Sequence, residues 1–181
     1  MADNPFKFNT EEEEQIDLLR KSVKEKADYD LRRVIAITER VNKKVDTGKK
    51  NEYGDTVEDW DNISTKELVN IFSEANAWNF FSTPVRMNAF IESSLAEIIY
   101  KYNYATALTD PNVSGTVAVK QSLAELNTQD SNFSCQFRKL YTSYVTDVLK
   151  SFDQYIKRME KIIDWRMQEE RMNANKSPFT S

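Results

Sequence analysis

Lys150, Lys157 and Lys161 stand seven and four residues apart, with Arg158 beside them. A helix through this stretch puts the four cations along one side. Ammonium and guanidinium groups so spaced neutralise successive phosphates, which gives binding that is salt-sensitive and tolerant of sequence. Arg138 and Lys139 lie upstream and Arg171 downstream. The same residues also fit a solvated face. Asp153 precedes Lys157 by four residues, the favourable order for a surface pair, and Glu160 and Asp164 dilute the charge. A second cationic group, Lys43, Lys44, Lys49 and Lys50, is offset by Asp46, Glu52 and Asp55. With a net charge of −4, the chain as a whole is no general binder of polyanions, and only a local patch serves that role.

Aromatic residues offer a second chemistry. Trp78, Phe80 and Phe81 form an apolar cluster in what reads as a connection, so they either plug the core or present a site to a protein partner. Tyr102 fits a core stripe, which leaves Tyr100 or Tyr104 to be exposed beside Lys101. An exposed aromatic among cations can stack on single-stranded bases. Phe6 and Phe179 sit in similar words near the two ends, Asn4-Pro5-Phe6 and Ser177-Pro178-Phe179. A tail with one aromatic can dock in a groove of another protein.

Other chemistries lack their residues. With no histidine in the chain, Ser-His-Asp and Cys-His nucleophile systems, the commonest general base and most zinc sites are excluded. A single cysteine, Cys135, forms neither a disulfide within the chain nor a thiolate cluster. Three glycines do not build a phosphate-cradling loop. Glu92 and Glu97, five apart, do not face each other on a helix and read as solvated flanks. We expect no enzyme, no cofactor, no metal and no small-molecule substrate.

The elements that carry these residues follow from periodicity. Gly and Pro number three and four in 181 residues, so turns are few and elements long, which points to helices. Residues 1–9 read as a tail. Thr10 and Glu13 make a capping box, and Ile16, Leu19, Val23, Ala27, Leu31, Val34, Thr38, Val41 and Val45 recur at spacings of three and four. That predicts one long helix over 10–48, stopped by a left-handed Gly48. Residues 49–63 read as a polar loop. A short helix follows from Ser64, then the aromatic connection, then a helix restarting at Thr83-Pro84 with Met87, Ile91, Leu95, Ile98, Tyr102 and Ala105 on its apolar stripe. After the turn at Asp110-Pro111 and Ser114-Gly115 comes a segment bearing Val117, Leu123 and Leu126, with a bend at 127–132. The cleanest helix then bears Phe137, Tyr141, Val145, Leu149, Phe152, Ile156, Met159 and Ile163. Residues 64–171 thus form a helical bundle or hairpin, and 172–181 a second tail. The predicted class is all-α: a long antiparallel helical hairpin or bundle with an additional long N-terminal helix. Its stripes are too long for so short a chain to cover, so a homo-oligomer is expected. No apolar run reaches the roughly 18 residues that a membrane span needs, and the first residues lack the pattern of a signal peptide, so the cytoplasm is the expected compartment.

The order of the second half is helix (RMNAFIESSLAEIIYKYNYATAL), turn (TDPNVSGT), second segment (VAVKQSLAEL), then long amphipathic helix (FRKLYTSYVTDVLKSFDQYIKRMEKIIDWRMQEE). It resembles small helical proteins of tailed bacteriophages, and in particular the oligomeric recombination mediators of T4-type phages. The resemblance covers roughly residues 85–172 and rests on layout. It implies a non-enzymatic accessory factor of DNA metabolism that binds single-stranded DNA, with Lys150, Lys157, Arg158 and Lys161 as the DNA face. The extra N-terminal helix and the negative charge depart from that family. The alternative is a virion structural or assembly component, or a DNA-packaging subunit with a helix-turn-helix in 64–91, acting through contacts with other phage proteins. An inhibitor that binds a host protein by its acidic surface is a third reading.

Overall fold

The structure, a computed structural model, describes residues 10–53 and 56–175. Phe6 and Phe179 lie outside the described residues. Five α-helices and one two-stranded sheet are present among those described: α1 (Thr10–Asp30), α2 (Arg32–Val45), β1 (Asp46–Lys50), β2 (Thr56–Glu58), α3 (Thr65–Leu108), α4 (Val117–Asn127) and α5 (Gln129–Asn175). The all-α class expected from the scarcity of Gly and Pro is observed.

Three boundaries differ from expectation. The N-terminal helix is interrupted at Leu31, whose φ of −105° and ψ of 13° separate α1 from α2. Nothing in the apolar spacing marks the break, because Ala27, Leu31 and Val34 are all buried and the stripe runs through it. The helix expected to run to 48 ends at Val45, and β1, which takes its last residues and the start of the expected loop, pairs antiparallel with β2 inside that loop, Asp46 opposite Glu58. Gly48 adopts φ +68°, but inside β1 and not as a helix stop. The third difference concerns Trp78–Phe81 and the predicted restart at Pro84. α3 is continuous from 65 to 108 with Pro84 inside it, so segment 64–91 holds no helix-turn-helix. Pro84 has no N–H to give the carbonyl of Phe80. In the turn before it, the hydroxyls of Ser82 and Thr83 donate to the carbonyls of Trp78 (2.7 Å) and Asn79 (3.3 Å).

The chain divides into two compact units. One combines α1 with Pro84–Thr146, and the other combines Leu31–Thr83 with the part of α5 from Asp147 onward. In the first, α1 buries Val23 and Ala27, α3 buries Ala89 and Ala96, and α5 buries Cys135, Tyr141 and Val145. The small Ala89 lets backbone and side chain meet: Thr142 Oγ1 donates to the Ala89 carbonyl at 2.8 Å. Arg138 pairs with Glu92, and Lys139 reaches Glu97 at 3.3 Å. Tyr141 and Tyr144 donate to Asp30 and Asp28 of α1. α4 is capped by the Thr116 hydroxyl, which accepts from the Val119 N–H, and ends at a buried Thr128 whose hydroxyl donates to the Ala124 carbonyl at 2.7 Å.

In the second unit, α2 buries Val34, Ile37, Val41 and Val45. Ile63, Leu68, Ile71 and Ala75 join them, as do Leu149, Phe152, Ile156, Met159 and Ile163 of α5. These α5 positions alternate in steps of three and four, the rhythm of a seam between helices. Tyr155 donates to Asn42 at 2.6 Å and packs its ring 5.7 Å from that of Trp60. Trp60 opens the 3-10 turn 60–62 that follows β2.

Candidate functional site

Two surfaces merit comparison, a basic one on α5 and an apolar one on α3. On α5, Lys157, Arg158 and Lys161 do come together, lining an open depression of about 610 Å3 with Ser151, Gln154 and Tyr155. Lys150 is exposed one helical stretch upstream. The electrostatics divide the four cations into two pairs. Arg158 is held at 2.7 Å by Glu58, and Lys157 at 2.7 Å by Asp153. The Asp153 carboxylate, as hydrogen-bond partner and counter-charge, raises the Lys157 ammonium above its ordinary pKa. Of these four, Lys150 and Lys161 have no carboxylate partner among the described residues. The aromatic at this depression is also committed: the Tyr155 ring packs on Trp60, its hydroxyl binds Asn42, and burial raises its pKa. Its ring is thus held in the second unit's packing by Trp60 and Asn42.

The second surface corrects an expectation. Met87, Ile91, Leu95, Ile98 and Tyr102, read from the sequence as the core stripe of their helix, are each 50–70% exposed. The buried face of this part of α3 is the opposite one, carrying Ala89 and Ala96. The physical reason is close approach. A helix that lets Thr142 reach a backbone carbonyl needs small residues toward α5, so the large apolar residues remain outside. Tyr102 is accordingly exposed, whereas Tyr100 and Tyr104 are half-buried with their rings 6.1 Å apart, the reverse of the expected assignment. Phe90 and Ile99, which periodicity did not single out, flank the exposed stripe and are themselves exposed. Grooves of about 370 and 350 Å3 open beside it, the first past Met87, Phe90 and Ile91, the second past Leu95 and Ile99. The signal for this orientation is present in the sequence: Ala89 and Ala96 are seven apart on the face away from the large residues.

Glu92, Glu97 and Lys101, beside the stripe, are paired within the chain. Lys101, hydrogen-bonded to Glu97, holds that carboxyl below its usual range, and Lys139 adds to the effect. Glu92 is taken by Arg138. Glu92 and Glu97, read as solvated flanks, are thus flanks that also pair.

Trp78, Phe80 and Phe81 lie on α3 in the second unit, and not in a connection. Phe80 and Phe81 are exposed, their rings 5.9 Å apart. Trp78 is half-buried, 5.8 Å from Phe81, and the Arg33 guanidinium stands 5.8 Å above it. A core plug is therefore not their role. Among the described residues no cluster of three or more His, Cys, Asp or Glu side chains could hold a metal ion. No helix there is long and apolar enough to cross a membrane.

Neither a protein-family model, nor a curated protein, nor a solved structure matches the chain.

Proposed function

We propose that this chain is a non-enzymatic assembly protein that works by contact with other protein chains. The observation that carries the reading is the run of large apolar side chains left in solvent on α3, from Met87 to Tyr102. Such a surface is larger than a chain of this size leaves exposed without use, and water-facing Ile, Leu and Phe gain most by meeting another apolar surface. Exposed Phe80 and Phe81 supply a second contact of the same kind. The virion-assembly role, in which helical subunits pack on one another, fits this chemistry.

The DNA-metabolism role keeps one observation in its favour, the unpaired Lys150 and Lys161 on the exposed side of α5. Two unpaired cations support little affinity, since the electrostatic contribution scales with the number of phosphates neutralised. A fluorescence-anisotropy titration with a labelled single-stranded oligonucleotide at several salt concentrations separates the two. The protein-contact reading expects a Kd no tighter than about 10 µM even at low salt, within the non-specific range. Tighter, salt-sensitive binding that disappears in Lys157→Glu/Lys161→Glu replaces it with the DNA reading.

A further inference from the structure

We infer that the exposed seam of α3 is covered by a second copy of this chain, packed helix against helix. The inference rests on the protein-contact reading above and names its partner. Three observations carry it.

Spacing is the first. Ile91, Leu95, Ile98, Tyr102 and Ala105 follow one another by four, three, four and three residues. This is the two-position heptad rhythm of a coiled-coil seam, narrower than the stripe a helix turns toward a mixed core. Leu149, Phe152, Ile156, Met159 and Ile163 show the same rhythm on α5, where it is buried within the chain. On α3 it runs through two heptads, Ile91 to Ala105, whose large side chains face solvent, so the occupant that fits it is a helix with a matching seam. The chain itself supplies one.

Area is the second. Seven side chains, the five of the stripe with Phe90 and Ile99, are half or more exposed. With aromatic side chains presenting about 150–250 Å2 each and aliphatic ones somewhat less, they offer on the order of 800 Å2. A stable two-chain interface takes about 800 Å2 from each partner. The patch is therefore of dimer size without recruiting any other surface.

Charge is the third. A two-fold contact sets a patch against itself, so any charge at its centre would face its own kind. From Met87 to Ala105 the seam positions carry no charge; beside them Glu92, Glu97 and Lys101 are paired within the chain, and Arg86 stands at the N-terminal edge, off the seam. A nucleic acid or a strongly charged protein finds no counter-charge at the seam's centre, and an identical seam meets no like charge there.

The test is the solution mass of the full chain at about 10 µM, by light scattering, for the wild type and for Leu95→Glu/Ile98→Glu. One chain weighs 21.1 kDa. The expected result is twice that mass, or a higher multiple, falling at least twofold in the variant, with far-UV helicity unchanged because both side chains face solvent within the chain. A variant that loses helicity is replaced by Ile98→Cys, whose thiol reactivity should fall at least tenfold between dilute and concentrated protein; buried Cys135 reacts slowly throughout. A wild type of 21.1 kDa, a multimer indifferent to both substitutions, or concentration-independent reactivity at Cys in position 98 each overturns the second-copy inference. The first of these, with the seam found against a different protein, leaves the protein-contact reading standing; tight single-stranded DNA binding removes that reading itself.

Discussion

Arg166 ties α5 to the segment around the 3-10 turn in the second unit. Its guanidinium donates to the carbonyls of Ile63 and Trp60, both at 2.6 Å, and pairs with Asp61 at 3.2 Å, with the side chain only 11% exposed. Arg166→Ala removes three contacts and strands two carbonyls, so it should lower stability by about 2–4 kcal/mol in urea unfolding. Arg166→Lys should recover little of that, because an ammonium cannot reproduce the planar fork. The tyrosines give a second prediction at this scale. Burial, with Asp30 as hydrogen-bond partner, raises the pKa of Tyr141, and burial with Glu58 nearby raises that of Tyr155. A raised folded-state pKa means that the neutral phenol is favoured in the fold. Its contribution is fully present below the unfolded value of about 10 and is lost as pH rises beyond it. Stability should therefore fall above about pH 10, less steeply in Tyr141→Phe, with Tyr141 and Tyr155, and to a smaller extent Tyr144, lagging the other tyrosines in absorbance titration. None of this was legible in the sequence. Arg166 carries no signal in the sequence, because its partners lie about a hundred positions away.

For single helices, periodicity identified the stripes but not always the side they would serve. The α5 run Leu149–Ile163 and the α2 run Val34–Val45 were read as seams and are buried. The α3 run from Met87 was read the same way and is exposed, since spacing alone does not say which face a neighbour chooses. Here the alanines settled it, by admitting α5 closely. Local punctuation misled in two places. Pro84 suggested a helix start, yet the preceding and following residues are strong enough to carry the helix through it. Pro84→Ala restores the missing donor to the Phe80 carbonyl and should stabilise the protein by about 1–2 kcal/mol, seen as a higher Tm. Leu31, in contrast, breaks a helix without any Gly or Pro to announce it. Gly48 was correctly read as left-handed but in the wrong element. Its φ of +68° is costly for a side chain even though a Cβ there meets nothing within 4 Å. Gly48→Ala should cost about 1–2 kcal/mol by thermal unfolding.

For the whole molecule, composition was the better guide. Few glycines and prolines gave the all-α class. The site was only half legible: the α5 cations do gather, but Glu58, which neutralises Arg158, lies a hundred residues away, beyond what helical spacing can reveal. The account stands on the apolar seam of α3 being the working surface. The most direct test puts a photo-reactive benzoylphenylalanine at Tyr102, on the seam, and separately at Tyr53, which is 81% exposed but off it. Each is irradiated in the native cellular setting. The account predicts discrete protein adducts from position 102, from a second copy or another chain, and none of the same kind from position 53. No protein adduct at 102, or the same pattern at both positions, would contradict it.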